Sequence, residues 1–183
     1  MPKHEIIVGV TGGIAAYKTA ALCSLAVQAE YGVTVVMTEA ATKFVGPPTF
    51  TALTGRAVRR HVFDADNANS AHPLGAHIEL ARTAELLCIA PASADFLAKA
   101  AHGIADDLLS TLYLAFTGKV LMAPAMNTEM WSKAAVQRNV NQLESDGVQM
   151  IGPDSGWLSC RDVGAGRMSA PEAIWEQIQS SIS

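Results

Sequence analysis

Ile6-Ile7-Val8-Gly9-Val10, followed at once by Thr11-Gly12-Gly13 and then by Ile14-Ala15-Ala16-Tyr17-Lys18, is the stretch that decides the fold. Five apolar residues without polar alternation suit a strand covered on both faces, and the glycine turn leads into a helical pattern. The arrangement recurs along the chain. Val33–Met37, Leu86–Ala90, Val120–Ala123 and Val148–Ile151 are short apolar runs separated by stretches of helical character. Strands alternating with helices predict a doubly wound α/β domain, a parallel sheet with helices on both faces.

Each run closes on small, polar or proline residues: Thr11-Gly12-Gly13, Thr38-Glu39, Pro91-Ala92-Ser93, Pro124-Ala125-Met126-Asn127 and Gly152-Pro153. In such a fold these turns share the carboxyl edge of the sheet, where open α/β sheets hold their ligands, so that edge is the predicted site. Helical patterns are read over Ile78–Ala84 and Thr128–Leu143, with a short helix over Thr49–Val58 and then a polar stretch rich in Asp and Asn. Residues 153–167 contain three glycines and no usable periodicity, which predicts a structureless flap over about 153–168. Trp157, Cys160 and Met168 suit such a flap for packing on a ligand. Ser169-Ala170-Pro171-Glu172 then reads as a capping box that opens a final helix.

The 183 residues show no linker or composition shift, so a single domain over 1–183 is expected. Charged residues make up only 16% of the chain and apolar ones 50%, which predicts surface buried in a homo-oligomer. A formal net charge of −4 without any Lys/Arg cluster argues against nucleic acid or an anionic membrane as partner. No apolar run reaches membrane-spanning length, and the residues before Ile6 are too few for a signal-peptide core, so a cytoplasmic location is expected. Cys23, Cys88 and Cys160 form no C-x-x-C pair, which fits a reducing compartment and disfavours zinc.

Several residues are candidates for chemistry. The Gly12-Gly13 turn presents backbone N–H groups and a helix's positive end to a phosphate, although a tight strand-to-helix turn needs glycine in any case. Thr38, where a dinucleotide site carries an acidic residue at the end of the second strand, favours a mononucleotide. His77 opens a helical pattern, a setting that favours the neutral imidazole and allows it to accept a proton; read alone, it is more often an incidental first-turn residue. Asn127 is either a ligand-facing amide or simply the N-cap of the next helix. Cys88 and Cys23 fall in core patterns. Cys160 sits among glycines near Arg161 and Arg167, where its thiolate would be stabilised.

Four segments taken together, Gly12-Gly13-Ile14-Ala15, His77-Ile78-Glu79-Leu80, Pro124-Ala125-Met126-Asn127-Thr128-Glu129-Met130-Trp131 and the Cys160 loop, resemble the homo-oligomeric flavin-containing cysteine decarboxylases. The closest likeness is to those acting on 4′-phosphopantothenoylcysteine in coenzyme A biosynthesis. The resemblance implies a flavodoxin- or Rossmann-like three-layer α/β/α flavoprotein with FMN as cofactor. Gly12, Gly13 and Ile14 would bind the FMN phosphate, with Thr38, Ser93, Ala94, Asp95, Phe96 and Ala125 completing the cofactor site. Asp95-Phe96 stands where the family has Asn-Thr. His77 would assist oxidation of the substrate thiol to a thioaldehyde, Asn127 would hold the carboxylate, and Cys160 would donate a proton as the enethiol is reduced. Trimers or dodecamers sharing FMN at subunit contacts are implied, and so is a separate ligase that supplies the substrate. Three other readings stay open. A peptidyl-cysteine decarboxylase would not need Cys160, a flavin prenyltransferase is disfavoured by the intact Pro-Ala-Met-Asn element, and a non-enzymatic flavin-binding regulatory subunit would not need both His77 and Cys160.

Overall fold

The computed structural model describes residues 2–62, 75–159 and 161–182. The first half alternates β1 (Glu5–Val10), α1 (Ala16–Gln28), β2 (Gly32–Met37), a 3₁₀ turn (Ala41–Lys43), α2 (Pro47–Thr54), α3 (Ala76–Thr83) and β3 (Leu86–Ala92). Helices α4 (Ala94–Ala101) and α5 (Leu108–Ala115) lead to β4 (Lys119–Pro124), α6 (Thr128–Ser132), α7 (Ala134–Ser145) and β5 (Gln149–Met150). Strands β6 (Asp154–Trp157) and β7 (Val163–Arg167) precede α8 (Pro171–Ile182).

The five predicted strands form one parallel sheet in the order β2-β1-β3-β4-β5, with Ile6 beside both Val33 and Leu86. Every residue of β3 is buried, which explains why its sequence is apolar throughout. Ile6, Val8 and Val10 face a core with Leu22 of α1 and with Ile174 and Ile178 of α8. Ile7 and Ile89 face a second core with Phe96 of α4, Leu109 of α5 and Val140 of α7. Gly9 sits at that second interface, where an added Cβ would lie 2.7 Å from Leu109, so the missing side chain lets α5 approach the sheet. This is the predicted three-layer, flavodoxin-like α/β/α architecture. The strand order reverses between β1 and β3, and that switch point is where this topology opens a crevice.

Cys23 and Cys88 are fully buried, and burial pushes both thiols up to about 12, so they act as packing groups as their sequence positions suggest. Among the described residues no helix is long and apolar enough to cross a membrane.

The structure differs from the sequence reading in four places. The helix expected over 49–58 spans Pro47–Thr54 and stops at Gly55, which takes φ +68. The helix expected over 128–143 is two helices, broken where Lys133 adopts an extended backbone (ψ 132). The Gln137 side-chain amide donates to the Trp131 carbonyl at 2.6 Å, satisfying a group that the break frees. The flap is not structureless, because β6 and β7 pair as an antiparallel ribbon. Finally, Ser169 is no capping-box residue: its hydroxyl donates to Asp154 Oδ1 at 2.9 Å, and α8 begins at Pro171. The polar stretch rich in Asp and Asn lies largely outside the described residues.

Candidate active site

The carboxyl ends of β1, β3 and β4 open onto a cavity of about 540 Å³, as the turn chemistry predicts. Gly12, Gly13, Ile14, Tyr17 and Lys18 line it from the first turn and α1, Ser93 and Ala94 from the β3 turn, and Ala125, Met126, Asn127 and Met130 from the β4 turn. The ribbon contributes Trp157, Leu158, Ser159, Gly166 and Arg167, with Met168 just beyond it.

Thr11 fixes the switch point. It is 1% exposed, its hydroxyl donates to the Pro91 carbonyl at 2.7 Å, and the same oxygen accepts the Ser93 N–H at 2.9 Å. One turn into α1, the Thr19 hydroxyl donates to the Ala90 carbonyl at 2.7 Å. The ends of β1 and β3 are thus tied through side chains that the sequence reading did not single out. The available signal was a hydroxyl residue at the last buried position before a Gly-Gly turn.

A side chain at Gly12 would strike Ala40, whereas a Cβ on Gly13 meets nothing within 4 Å and opens into the cavity. The N–H groups of residues 12–15 find no acceptor among the described residues, and the 13-residue helix α1 begins directly behind them. Free N–H groups at the positive end of a helix suit an anion.

The two readings of Asn127 hold together. Its Oδ1 accepts the Met130 N–H at 2.9 Å and caps α6. That bond fixes the orientation of the amide and leaves the side-chain NH₂, a pure donor, at the cavity wall. The ribbon docks on this turn: Met126 N–H donates to the Gly166 carbonyl at 2.9 Å, and Gly166 at φ +126 has the Met126 carbonyl where a Cβ would stand. The mouth of the site is apolar and exposed, with Ile14 at 55%, Tyr17 at 60% and Trp157 at 63%.

Other candidates lie elsewhere. Thr38 is not in the cavity wall, and its hydroxyl accepts the Ala41 N–H at 3.2 Å. Asp95 is exposed and pairs with Lys99 at 3.4 Å, while the Phe96 ring is buried edge-on to Tyr113, so neither side chain lines the cavity. His77 occupies the first turn of α3, whose Ala76 and Leu80 pack in the second core, and it does not line the cavity of its own chain. Its Nδ1 is buried without a hydrogen-bond partner. Gly75, at φ +88, leaves room beside the ring, since a Cβ there would lie 3.3 Å from His77 Cε1. Cys160 lies outside the described residues, although its neighbour Ser159 lines the cavity. Lys18, Met126, Ser159 and Met130 are lining residues that the sequence reading did not assign to the site.

Comparison with known proteins gives concordant results. A model of the family described as Flavoprotein matches residues 1–183. The coenzyme A biosynthesis bifunctional protein CoaBC of Haemophilus influenzae is 46% identical over 181 residues, covering 99% of this chain and 44% of that protein. CoaBC of Bacillus subtilis is 45% identical over 172 residues, covering 94% of this chain and 41% of that protein. The chain therefore spans less than half the length of these curated relatives. Among solved structures, a PPC decarboxylase mutant complexed with pantothenoylaminoethenethiol superposes with a TM-score of 0.86 at 31% identity, covering 97% of each chain. The FMN-dependent cysteine decarboxylase SpaF gives 0.82 at 33%, covering 99% of this chain and 98% of that one. By fold, by the glycine turn at its switch point and by these similarities, the chain belongs to the Flavoprotein family.

Proposed function

We propose that this chain is an FMN-dependent carboxy-lyase that converts 4′-phosphopantothenoylcysteine to 4′-phosphopantetheine and CO₂ in coenzyme A biosynthesis. The observation that carries the reading is the pairing, in one cavity, of an acceptor-free glycine turn with the outward NH₂ of Asn127. The residues present fit the cofactor. Gly12, Gly13 and Ile14 offer backbone N–H groups to its phosphate, the open space at Gly13 leaves the approach clear, and Ser93, Ala94 and Ala125 form a small-residue wall for a flat ring. The volume falls within the range of cofactor pockets, about 300–1,000 Å³.

Bound FMN supplies the reversible two-electron chemistry without which loss of CO₂ would leave an unstabilised carbanion. The chain's own groups do the rest. Asn127 donates from Nδ2 to the substrate carboxylate and holds it in place until CO₂ departs. His77 accepts the proton released as the substrate is oxidised, and Cys160 returns a proton to the enethiol carbon, so the overall reaction has no net redox change. The ribbon covers the bound substrate and keeps water out.

His77 does not reach the cavity of its own chain, and apolar side chains rim the mouth. Both observations support a homo-oligomer, a trimer or dodecamer, in which His77 of one copy completes the site of another. The reaction runs in the cytoplasm, and a ligase activity supplies the substrate.

The test is mass spectrometry of the product after the flavin-loaded protein is incubated with 4′-phosphopantothenoylcysteine. The proposal expects a product that has lost CO₂ alone. A final product that has also lost two hydrogens would identify an enzyme that stops at the enethiol, as a peptidyl-cysteine decarboxylase does. Protein that stays colourless when mixed with FMN would remove the cofactor from the account.

A further inference from the structure

The two halves of the proposed FMN site come from different strands. The glycine turn for the phosphate follows β1, and the small-residue wall of Ser93 and Ala94 follows β3. The ladder of the sheet does not set the distance between them: pairing of β1 with β3 runs from Ile6–Leu86 to Gly9–Ile89, and β3 shifts its register against β4 between Ile89 and Ala92. Past that point the two turns meet chiefly through one buried hydroxyl. Thr11 Oγ1 donates to the Pro91 carbonyl at 2.7 Å and accepts the Ser93 N–H at 2.9 Å, whereas the Thr11 N–H reaches the same carbonyl only at 3.4 Å.

Thr11 is 1% exposed and is not in the cavity wall, so it acts on a ligand only through its neighbours. On one side it is bonded directly to Gly12. On the other it fixes the Ser93 N–H, and Ser93 carries that position onward because its own Oγ accepts the Phe96 N–H at 3.2 Å and caps α4, whose first residue, Ala94, lines the cavity. Donating and accepting at once is within reach of a hydroxyl and beyond an isosteric valine. A ligand that touches two separately anchored walls gains its second contact intramolecularly, and that gain depends on the spacing of the walls. Resting on the FMN reading of the site, we infer that Thr11 is a positioning residue that couples the phosphate turn to the ring wall, holding the two at the spacing at which a single FMN engages both. Thr19 supplies the internal contrast. Its hydroxyl is as deeply buried and donates to a β3 carbonyl, that of Ala90, at 2.7 Å, but it holds no N–H of the β3 turn.

The test is binding of FMN and, separately, of riboflavin, which lacks the phosphate, followed by quenching of flavin fluorescence. In the unaltered protein FMN should bind far more tightly than riboflavin. In Thr11→Val the FMN affinity should fall about 10- to 100-fold, while riboflavin, which engages the ring wall alone, should weaken by less than about 3-fold, so the ratio of the two affinities drops. Thr11→Ser, which keeps the hydroxyl, should restore the ratio. Thr19→Val, which loses a buried hydrogen bond of the same length, should unfold more easily and leave the ratio unchanged. Thr11→Ala gives the same comparison if valine prevents folding. Equal weakening of both flavins in Thr11→Val, or an equal drop in the ratio in Thr19→Val, would overturn the inference, since either is the mark of general loosening. Tight FMN binding that Thr11→Val leaves intact would remove the coupling and leave the cofactor reading standing. An unaltered protein that binds neither flavin would sink the cofactor reading and the coupling with it.

Discussion

The two walls of the cavity are built by opposite means. The sheet wall is pinned from within: Thr11 is buried, bridges β1 and β3 through two hydrogen bonds, and stands on strands whose residues are almost all inaccessible. The ribbon wall is rich in glycine, and β6 alternates between half-buried and exposed residues while Trp157 and Val163 stand 63% and 75% exposed. Its tethers are few. Met126 N–H bonds to the Gly166 carbonyl, Ser169 bonds to Asp154, and Gly164 packs against Thr128. On the proposed reading, the wall anchored in the core of the sheet holds the cofactor, and the wall with the fewer tethers covers the substrate and lets it exchange.

The comparison can be tested from both sides. The largest effect is chemical. Cys160→Ser should leave the sheet wall and FMN binding intact, yet cut complete turnover by roughly 10²- to 10⁴-fold and accumulate the dehydrogenated product, as mass spectrometry would show. Normal product from that variant would remove the ribbon's chemical role.

On the sheet wall, Thr11→Val keeps the shape but strips the partner from the Pro91 carbonyl and the Ser93 N–H, both at the switch point. A loss of about 2–4 kcal/mol in unfolding free energy is expected, read by denaturant titration. On the ribbon, Gly166→Ala puts a Cβ against the Met126 carbonyl at φ +126, a strain of about 1–3 kcal/mol. That cost should be local. Hydrogen exchange should speed up at Met126 and along β7 while β1 and β3 amides keep their protection, and acceleration spread evenly over the sheet would contradict the division into two walls. The smallest effect belongs to Trp157→Ala. At 63% exposure its removal should change global stability by no more than about 0.5 kcal/mol while raising KM for the substrate.

The same contrast governs what could be read from the sequence. The sheet was legible because strands buried on both faces need unbroken apolar runs, and Ile6–Val10 and Leu86–Ala90 are such runs. The carboxyl-edge turns were legible for the same reason, since the strands carry them all to one rim. The ribbon was not, because β7 is Val163-Gly164-Ala165-Gly166-Arg167 and its pairing depends on contacts with Met126 and Thr128 rather than on alternation. The break at Lys133 was hidden because no proline or glycine marks it, and the Gln137 side chain that satisfies it acts from the following helix. Within the site, Asn127 could be placed but not oriented until its capping bond to Met130 was visible. Phe96 is the reverse case: its motif position suggested the cofactor, and its ring packs in the core edge-on to Tyr113. Lys18 and Arg167, far apart in the sequence, both line the cavity, a juxtaposition that no local pattern signals.

Gly13→Val tests the central claim, that the glycine turn at the β1/β3 switch point is the cofactor's seat, most directly. A Cβ at Gly13 meets nothing within 4 Å and the position lacks a positive φ, so the valine should leave the fold unstrained and project into the cavity. Titrating this variant and the unaltered protein with FMN, followed by quenching of flavin fluorescence, should show unchanged thermal unfolding without FMN but a loss of affinity on the order of 100-fold or more. FMN binding by the variant as tight as that of the unaltered protein would contradict the account.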